Sequence, residues 1–415
     1  MRKEVKTLIL SENFYPLSTA SAQRIFAYTK TLVSHSYRVV VLTKSQITCM
    51  SEKLTVTGIK SWRGIPIFDP LLLLLYIIAS INIARKYQIN LIISTVPKIN
   101  NAIAGCVIAK LFKIPHIIDI RDFWESSLFS YPLSAIIPRR LALLAVRITS
   151  FVYQDASSII TVNETLRTML NQRGLAVNGI YIIPNGADSS LFKPCEDETC
   201  VRKLRGKYKL PLSKLIFVYG GALSLDYRFD AILKGLSYLR EDGDFLFAIV
   251  CNPTLLVTKE KIMQTVRSLR LEKIVKVLGP LPVNEVAELF RCCDVGVIPL
   301  DDNELFKHVI TAKIFAYLAS GLPVLASGPK DGELEKFLAK YEVGIFVDKS
   351  TPRKFAQKFR KLIQNKNELK SKGREGRKVA CEHYDRYALA KKIVPIMQQN
   401  VKKEYSSQER QDSSQ

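Results

Sequence analysis

Histidine is scarce, with four residues in 415, and the sequence also lacks the common phosphate-binding and nucleophile motifs. His35, His116 and His383 lie far apart without the spacing of metal ligands, so we predict that no metal is bound. A P-loop, a G-x-G-x-x-G dinucleotide fingerprint and a serine-hydrolase elbow are all missing. Their absence excludes the nucleotide and hydrolase sites that these motifs build.

Acidic residues are few: 38 Asp and Glu stand against 61 Lys and Arg, for a net charge of +23. Residues 1–190 hold 21 basic and 10 acidic side chains, which leaves 40 and 28 for the rest, so the two parts carry +11 and +12. Such a broad positive field attracts anions, including nucleic acid, anionic lipid and phosphorylated small molecules. Because zinc-finger spacing and an RNP-type strand are missing, we predict no nucleic-acid partner.

The eight cysteines give little sign of a disulfide framework. Most lie in apolar runs, where a free cysteine packs as a small hydrophobic side chain. The pair in C-E-D-E-T-C (195–200) can clip a loop or hold a metal, but no second Cys or His pair stands nearby. We therefore predict a plain loop there, and reduced thiols in a cytoplasmic protein.

No apolar run reaches the roughly 20 residues that a membrane span needs. The N-terminal stretch is too short for a signal peptide and meets Glu12 at once. The most apolar segment, residues 70–86, predicts a core or interfacial helix. Residues 406–415 are polar and featureless, which predicts a disordered tail.

Short apolar strands alternate with helical patterns in two successive series, the second starting at K-L-I-F-V-Y-G-G (214–221). This alternation is typical of parallel sheets covered by helices on both faces. We predict an α/β fold of two doubly wound, Rossmann-like domains facing a cleft. The first comprises residues 1–185 and the second 186–390, and a helix over 391–405 crosses back to the first. Ligands of such sheets bind beyond the carboxyl ends of the strands.

Five segments follow one another in a recognisable order. They are S-E-N-F-Y-P-L-S-T-A-S-A-Q-R (11–24), D-I-R-D-F-W-E-S-S (119–127), I-I-P-N-G-A-D-S-S-L-F (182–192), F-V-Y-G-G-A-L-S-L-D-Y-R-F-D (217–230) and L-G-P-L-P-V-N-E-V (278–286). Together they resemble the glycosyltransferases of family 4, which have the glycosyltransferase-B fold. The second segment is similar to a motif of the sub-group that builds bacterial surface polysaccharides.

A sixth segment, H-V-I-T-A-K-I-F-A-Y-L-A-S-G-L-P-V-L-A-S (308–327), is similar to the donor-binding segment of the same family. Lys313 matches the family's lysine, and Glu333 matches the glutamate of its later Gly-Glu pair. The two glutamates that the family spaces eight residues apart fall on His308 and Ala316. Both acids are therefore missing from this chain.

The chemistry of a donor site can be argued from the residues themselves. When a nucleotide sugar breaks, the leaving diphosphate gains negative charge, which positioned donors stabilise. A helix that begins near Thr311 offers free N–H groups, with Lys313 in its first turn. Gly220 and Gly221 allow a second backbone segment to approach closely, and Arg228 is a candidate counter-charge. The alternatives are a glycine pair that serves only turn geometry and a lysine that lies in solvent.

The resemblance also indicates what the missing acids did. It implies that the second glutamate holds the ribose hydroxyls of the donor, so its loss at Ala316 weakens nucleotide recognition. The first glutamate lies near the sugar, where His308 or the upstream Asp301, Asp302 and Glu304 could substitute. The resemblance further implies a retaining, metal-independent transfer in which the leaving phosphate takes the acceptor's proton.

Candidates for the acceptor side come from the first domain. Asp122 follows a predicted strand and is our candidate for contact with the acceptor or the reacting sugar; its alternatives are a helix N-cap and an ion pair with Arg121. Arg24 is either a phosphate contact or a surface charge. The small residues predicted to line the acceptor side are Ala20, Ser21 and Ala22.

Residues 134–150 combine Arg139, Arg140 and Arg147 with a wide apolar face. A basic amphipathic stretch of this kind suits the surface of an anionic membrane, so we predict peripheral contact with the inner face of the plasma membrane. The alternative is a helix that packs on the sheet and leaves its arginines in solvent.

We therefore predict a glycosyltransferase that moves a sugar from a nucleotide-sugar donor to a lipid-linked or saccharide acceptor, in glycan synthesis of the polysaccharide or O-antigen type. Three alternatives stay open. They are a catalytically decayed relative that binds a partner, a nucleotide-sugar epimerase, and a basic nucleic-acid binder.

Overall fold

The chain divides into two compact units, Met1–Asn185 with Tyr387–Gln415, and Gly186–Arg386. The computed structural model describes residues 4–15, 19–44, 49–59, 70–129, 137–175, 177–222, 227–252, 259–348 and 351–412. The division after residue 185 coincides with the predicted domain boundary. The return to the first unit begins at Tyr387 rather than at residue 391.

The first unit is built on a sheet of eight described strands. These are β1 (Lys6–Ser11), β2 (Arg38–Thr43), β3 (Cys49–Met50), β4 (Leu54–Gly58), β5 (Leu91–Val96), β6 (His116–Ile120), β7 (Ser158–Thr161) and β8 (Ile180–Ile182). Their order is β3-β4-β2-β1-β5-β6-β7-β8, and every neighbouring pair is parallel except β3 with β4. The short edge pair β3 and β4 is the part of this sheet that the sequence analysis missed.

Helices cover this sheet in alternation with the strands. They are α1 (Ala20–Ser34), α2 (Pro70–Tyr87), α3 (Ile99–Phe112), α4 (Arg139–Gln154) and α5 (Glu164–Gln172), with a 3₁₀ segment at Trp124–Phe129. The hydroxyl of Thr19 accepts a hydrogen bond from the Ala22 N–H and caps α1, and the Asn163 side chain caps α5 in the same way. Among the described helices, none is both long and apolar enough to span a bilayer.

The second unit repeats the plan with a sheet of six described strands, all parallel. These are β9 (Leu215–Ala222), β10 (Phe245–Asn252), β11 (Val275–Leu278), β12 (Val295–Pro299), β13 (Val324–Gly328) and β14 (Gly344–Asp348), in the order β11-β10-β9-β12-β13-β14. β9, β12 and β13 are apolar runs that are buried almost throughout, as strands covered on both faces require. The two doubly wound α/β sheets confirm the predicted fold class.

Eleven described helices follow α5. Those of the second unit are α6 (Glu198–Lys207), α7 (Phe229–Ser237), α8 (Lys259–Ser268), α9 (Val283–Arg291), α10 (Glu304–Lys307), α11 (Lys313–Ala319), α12 (Glu333–Tyr341), α13 (Pro352–Gln364) and α14 (Lys366–His383). α15 (Arg386–Ala390) and α16 (Ile393–Asp412) complete the chain. The helix predicted near Thr311 begins at Lys313, and Gly321 follows it with a φ of +77°.

The polar C-terminal stretch is helical where we predicted disorder. α16 continues to Asp412, through most of residues 406–415. Its first part is anchored, because Ile393, Ile396 and Met397 are buried. Extending an existing helix fixes one residue for each added hydrogen bond, and Gln, Glu, Arg and Lys are good helix formers. The interpretation of low hydrophobicity as disorder was therefore wrong up to Asp412.

The C-E-D-E-T-C segment is not a plain loop, because Cys195 and Cys200 form a disulfide. The carboxylate of Asp197 accepts a hydrogen bond from the Cys200 N–H at 2.7 Å and caps α6. This turn brings the two cysteine Cα atoms to 5.7 Å, within the usual range for a disulfide. The prediction of reduced thiols is wrong for this pair. A cytoplasmic location, which rested partly on it, stays a prediction.

Candidate functional site

The sheet of the second unit changes winding direction between β9 and β12. From β9 the chain proceeds outward to β10 and β11, and from β12 it proceeds the other way to β13 and β14. Ligands of open α/β sheets bind at such a point, beyond the carboxyl ends of the strands. The predicted donor residues all lie at or after the carboxyl ends of β9, β12 and β13; they are Gly220, Gly221, Arg228, Lys313 and Glu333.

Lys313 lies at the carboxyl edge of this sheet and contacts residues that follow or belong to β9. Its Nζ donates a hydrogen bond to the hydroxyl of Tyr219 at 3.0 Å. It also lies 4.4 Å from the ring centroid of Tyr219 and 3.9 Å from that of Tyr227. Among the described residues no carboxylate forms an ion pair with it. Two aromatic faces therefore hold a cation that has no anionic partner in this part of the chain.

The electrostatics of Lys313 follow from this enclosure. Burial lowers the pKa of the Lys313 ammonium below its ordinary value, and the neighbouring Tyr227 hydroxyl offsets part of that effect. A desolvated cation interacts strongly with an anion that reaches it, because little water screens the pair. The alternative of a lysine in solvent is wrong, and the geometry suits contact with a phosphate.

The two glycines of β9 serve different purposes. A Cβ on Gly220 would lie 2.6 Å from the ring of Phe290, and its N–H donates to the Tyr317 hydroxyl at 2.9 Å. Gly220 is thus required for packing, and its N–H is already used. Gly221 has a φ of +148°, and a Cβ there would lie 3.3 Å from Lys313 Nζ. Only Gly221 leaves space beside Lys313, and its close approach to a donor phosphate stays a prediction.

Arg228 is already neutralised by protein carboxylates. Its guanidinium pairs with Asp230 at 3.0 Å and with Asp301 at 3.3 Å. The side-chain hydrogen bond to Asp230 raises the pKa of Arg228 despite its partial burial. Asp301 was a candidate substitute for the missing acid, and this pairing engages it as well. A ligand phosphate would have to compete with both carboxylates for Arg228.

The remaining donor-side candidates lie around the ends of two helices. His308 is half-buried and follows α10, while Glu333 opens α12 and forms an ion pair with Lys336. Ala316 is partly buried and lies three residues after Lys313 on α11, so the two share a helix face. An acid at residue 316 would therefore point along the same face as the lysine. Asp302 and Glu304 are exposed.

On the first unit, Arg24 is neither a surface charge nor available to a phosphate. It is 6% exposed and forms a bidentate ion pair with Asp119, at 2.8 and 2.9 Å. Its remaining bonds go to the carbonyls of Pro184 and Ile183. Because four donor contacts are satisfied inside the protein, Arg24 joins α1 to β6 and to the segment after β8. The predicted acceptor contact at Arg24 is corrected to a structural role.

The small residues at the start of α1 differ in their exposure to solvent. Ala20 is exposed and Ser21 is half-buried, so both are available at the start of α1. Ala22 is fully buried, which makes its predicted place on the acceptor side wrong. Its N–H is also taken by the Thr19 cap. Of the preceding loop, residues 16–18 lie outside the described residues.

Asp122 follows β6 and lies at the carboxyl edge of the first sheet. Its Oδ1 is buried and has no hydrogen-bond partner among the described residues. Burial raises the pKa of Asp122, although the Arg121 charge opposes the rise. Neither alternative holds in this part of the chain, because Asp122 caps no described helix and forms no ion pair with Arg121. Contact with the acceptor or the reacting sugar stays a prediction.

The aromatic residues around Lys313 were missed by the sequence analysis. Tyr219 and Tyr227 flank the glycine pair in F-V-Y-G-G and D-Y-R, and the ring of Phe229 packs edge-on against Tyr219 at 4.6 Å. The Tyr219 hydroxyl also donates to the carbonyl of Ala222 at 2.6 Å. The tyrosines on either side of the glycine pair were the sequence signal that could have indicated an aromatic environment for Lys313.

No three His, Cys, Asp or Glu side chains group closely enough to hold a metal ion in the described part of the chain. His116 is fully buried, with Nε2 2.7 Å from the Ser94 hydroxyl, and burial lowers its pKa to about 3. This histidine is therefore neutral packing between β5 and β6. Metal independence stays a prediction.

Solved structures place the fold in a defined class. Sucrose-phosphate synthase from Thermosynechococcus elongatus is similar with a TM-score of 0.78 and 14% identity, over 95% of this chain and 99% of that one. Anabaena HepE in complex with UDP-glucose has a TM-score of 0.72 and 16% identity, over 95% and 100%. WaaG, a glycosyltransferase involved in lipopolysaccharide biosynthesis, has a TM-score of 0.70 and 13% identity, over 94% and 99%. These likenesses show the glycosyltransferase-B fold.

Family comparisons make the assignment more specific. The family described as Glycosyltransferase Family 4 matches residues 22–191, and the one described as Glycosyl transferases group 1 matches residues 201–379. The chain belongs to the glycosyltransferases of family 4, as its motifs predicted. The surface-polysaccharide sub-group stays a prediction.

Curated relatives are similar to this chain over part of their length. The D-inositol 3-phosphate glycosyltransferase of Corynebacterium glutamicum is 25% identical over 219 residues, 51% of this chain and 50% of that protein. That of Corynebacterium aurimucosum is 24% identical over 285 residues, 65% of each. The chain thus spans between half and 65% of the length of these relatives.

Proposed function

We propose that this protein transfers a sugar from a nucleotide-sugar donor to a saccharide or lipid-linked acceptor, and that the second unit binds the donor. The observation that carries the proposal is Lys313, a partly buried cation that has two aromatic neighbours and no carboxylate partner among the described residues, at the winding reversal of a parallel sheet. The leaving diphosphate would supply the missing anion. Lys313 would then stabilise the charge that develops on the diphosphate as the glycosidic bond breaks.

The comparisons support this choice of donor. The structures of HepE contain UDP, UDP with glucose, or UDP-glucose. Gly221 keeps the space beside Lys313 free of a side chain, which lets a diphosphate approach. Retention and metal independence remain part of the proposal. In that mechanism the leaving phosphate takes the acceptor's proton, so the missing glutamates need not stop transfer.

Nucleotide-dependent thermal stabilisation tests the proposal directly. We expect one of UDP, GDP and dTDP to raise the melting temperature, with the other two weaker. A ligand at 100 times its Kd stabilises by about 2.7 kcal/mol, which is a rise of roughly 5–10 °C for a unit of this size. No shift with any of the three at millimolar concentration would contradict a nucleotide site.

A non-catalytic binding protein is the second candidate, because His308 and Ala316 stand where the family has acids. Ala316 removes the expected contact to the ribose hydroxyls, which costs about 1–3 kcal/mol of affinity. Nucleotide-sugar binding without transfer to any acceptor, and without donor hydrolysis, would favour this candidate. Transfer to an acceptor under the same conditions would exclude it.

The acceptor side includes a proposed contact with an anionic membrane. On α4, Leu141, Leu144, Ile148 and Phe151 follow one helix face and are 48–61% exposed. The exposed arginines of this helix are Arg139, Arg140 and Arg147. The opposite side packs inward through residues such as Val152 and Tyr153. An apolar face flanked by arginines suits the headgroup region of anionic lipid. Residues 134–136 of the predicted stretch lie outside the described residues.

Vesicle sedimentation tests the membrane proposal. We expect the full chain to bind phosphatidylglycerol vesicles at least tenfold more tightly than phosphatidylcholine vesicles, since cationic segments favour anionic lipid. The double substitution Leu144→Glu with Phe151→Glu should remove this binding. The matched control is Leu212→Glu, at an exposed leucine of the second unit. Equal loss in the control, or binding that is indifferent to lipid charge, would refute the contact.

A further inference from the structure

The two strands on either side of the winding reversal stop pairing before they end. β9 pairs with β10 along its whole length. With β12, its pairing in the described chain includes only Phe217 with Val295 and Val218 with Gly296. Beyond Val218 the facing backbone groups of β9 and β12 therefore need partners other than each other, because buried N–H and C=O groups are rarely left unbonded.

The hydroxyl of Tyr317 fills this gap. It accepts a hydrogen bond from the Gly220 N–H of β9 at 2.9 Å, and it donates to the Val297 carbonyl of β12 over a longer distance, 3.4 Å. Tyr317 is fully buried, and burial raises the pKa of its hydroxyl, which therefore keeps its proton and remains a donor. One side-chain oxygen thus joins the two strands where their own pairing has stopped.

The ring of Tyr317 is fixed by its neighbours. A Cβ on Gly296 would lie 2.4 Å from this ring, so β12 has room for the ring only because residue 296 is a glycine. The ring of Phe290, which covers Gly220, packs against Tyr317 with the two centroids 4.9 Å apart. Because close packing fixes the ring, the position of its hydroxyl is fixed as well.

Tyr317 also belongs to the helix that carries Lys313. The two residues lie one turn apart on α11 and share a helix face. On β9, Gly220 directly precedes Gly221, which leaves the space beside Lys313. The hydrogen bond between Tyr317 and Gly220 therefore sets the separation of the two elements that line the proposed donor site.

We propose that Tyr317 is a positioning residue of the donor site, whose hydroxyl holds β9 and β12 apart and keeps Gly221 in place beside Lys313. This inference rests on the proposed transferase function and adds a residue that touches no ligand. The opening that it maintains lies at the carboxyl ends of the two strands, where the donor diphosphate would enter. Without the hydroxyl, the Gly220 N–H loses its acceptor, and the glycine turn is free to move relative to α11.

Titration of the full chain with UDP, GDP and dTDP, in the wild type and in Tyr317→Phe, tests the inference. The variant keeps the ring and removes only the hydroxyl. We expect the affinity for whichever nucleotide the wild type binds to fall at least fivefold, the scale of one neutral hydrogen bond.

The matched control is Tyr208→Phe. The hydroxyl of Tyr208 is also hydrogen-bonded within the second unit, to the Glu285 carbonyl and to the Glu288 carboxylate. Its removal costs hydrogen bonds of the same kind at a place outside the proposed site. Nucleotide affinity should therefore stay within twofold of the wild type.

A double-mutant cycle separates positioning from a general loss of structure. If Tyr317 acts by placing Lys313, Tyr317→Phe should weaken binding twofold or less in the Lys313→Met background, because the group that it positions is gone. Unrelated structural effects would multiply, and the fivefold loss would persist. That persistence, an unchanged affinity in Tyr317→Phe, or an equal loss in Tyr208→Phe would each overturn the inference.

Amide hydrogen exchange without ligand gives an independent readout. The Gly220 amide should exchange faster in Tyr317→Phe than in Tyr208→Phe, since only the first variant removes its acceptor. Equal exchange at Gly220 in the two variants would overturn the inference. A wild type that binds none of the three nucleotides would contradict the donor site and this inference with it, whereas binding that Tyr317→Phe leaves intact would contradict the inference alone.

Discussion

Replacing Lys313 with methionine is expected to reduce kcat/KM for sugar transfer by about 10²–10³, the scale of removing one positioned donor from a developing negative charge. Nucleotide diphosphate affinity should fall at least tenfold, as expected for a lost charge-assisted bond. The reason is the position of Nζ, 3.0 Å from the Tyr219 hydroxyl and against the ring of Tyr227, where it is partly shielded from water. Free protein should melt at the same temperature or higher, because the variant removes a partly buried cation that has no carboxylate partner among the described residues.

The matched control for this prediction is Lys307→Met. Lys307 belongs to the same connection after β12 but is exposed and pairs only with Glu304 among the described residues. Its loss should leave nucleotide affinity within twofold. A pH series gives a further check. Because burial lowers the pKa of Lys313 below that of an ordinary lysine, the lysine should lose its charge at a lower pH than usual, and nucleotide affinity should fall as the pH rises through that pKa. Unchanged binding in Lys313→Met would exclude this residue from the donor site.

Replacing Arg24 with methionine is expected to destabilise the first unit by about 3–5 kcal/mol, because it leaves the carboxylate of Asp119 buried without its partner. Asp119 is completely buried, so water cannot replace the lost contacts. The carbonyls of Ile183 and Pro184 lose their donor at the same time. Exchange protection of amides in β1 and β6 should fall, since α1 and the segment after β8 are no longer joined through Arg24.

A double-mutant cycle distinguishes the buried pair from a local packing defect. Arg24→Met with Asp119→Leu removes both charges and should recover part of the lost stability, whereas two independent defects would add. The exposed pair Arg167 and Glu164 supplies the control cycle, with a coupling of about 0–1 kcal/mol. The free energies of unfolding in both cycles can be measured by urea unfolding and, independently, by native-state hydrogen exchange. Additive losses in the first cycle would show that Arg24 acts through packing alone.

Part of the proposed donor site could be predicted from the sequence. Lys313 was identified because a lysine in the first turn of a helix, before a glycine turn and a strand, matches the family's phosphate-binding pattern. The roles of Gly220 and Gly221 could not be separated, since both glycines look alike in sequence. Their difference depends on Phe290 and Tyr317 lying against one of them. Those contacts join residues about 70 to 100 positions apart, and no local pattern predicts them.

The charged candidates show the same limit. Arg24, Arg121 and Arg228 are indistinguishable as isolated arginines, but the structure gives them three different environments. Arg24 is paired with Asp119, Arg121 donates to the carbonyl of Val96, and Arg228 is shared by Asp230 and Asp301. Only the environment decides whether a charge can bind a ligand, because a guanidinium that is already satisfied gains little from a second anion.

The sequence by itself determined the two-sheet α/β architecture, the boundary after residue 185 and the family. These depend on strand and helix periodicity and on motif order, which are local properties of the chain. Tertiary structure alone decided that Lys313 has two aromatic walls, that Arg24 is structural, and that Cys195 pairs with Cys200. Burial and pairing of polar groups are set by residues that meet only after folding, so their energies cannot be assigned to a residue before its neighbours are known.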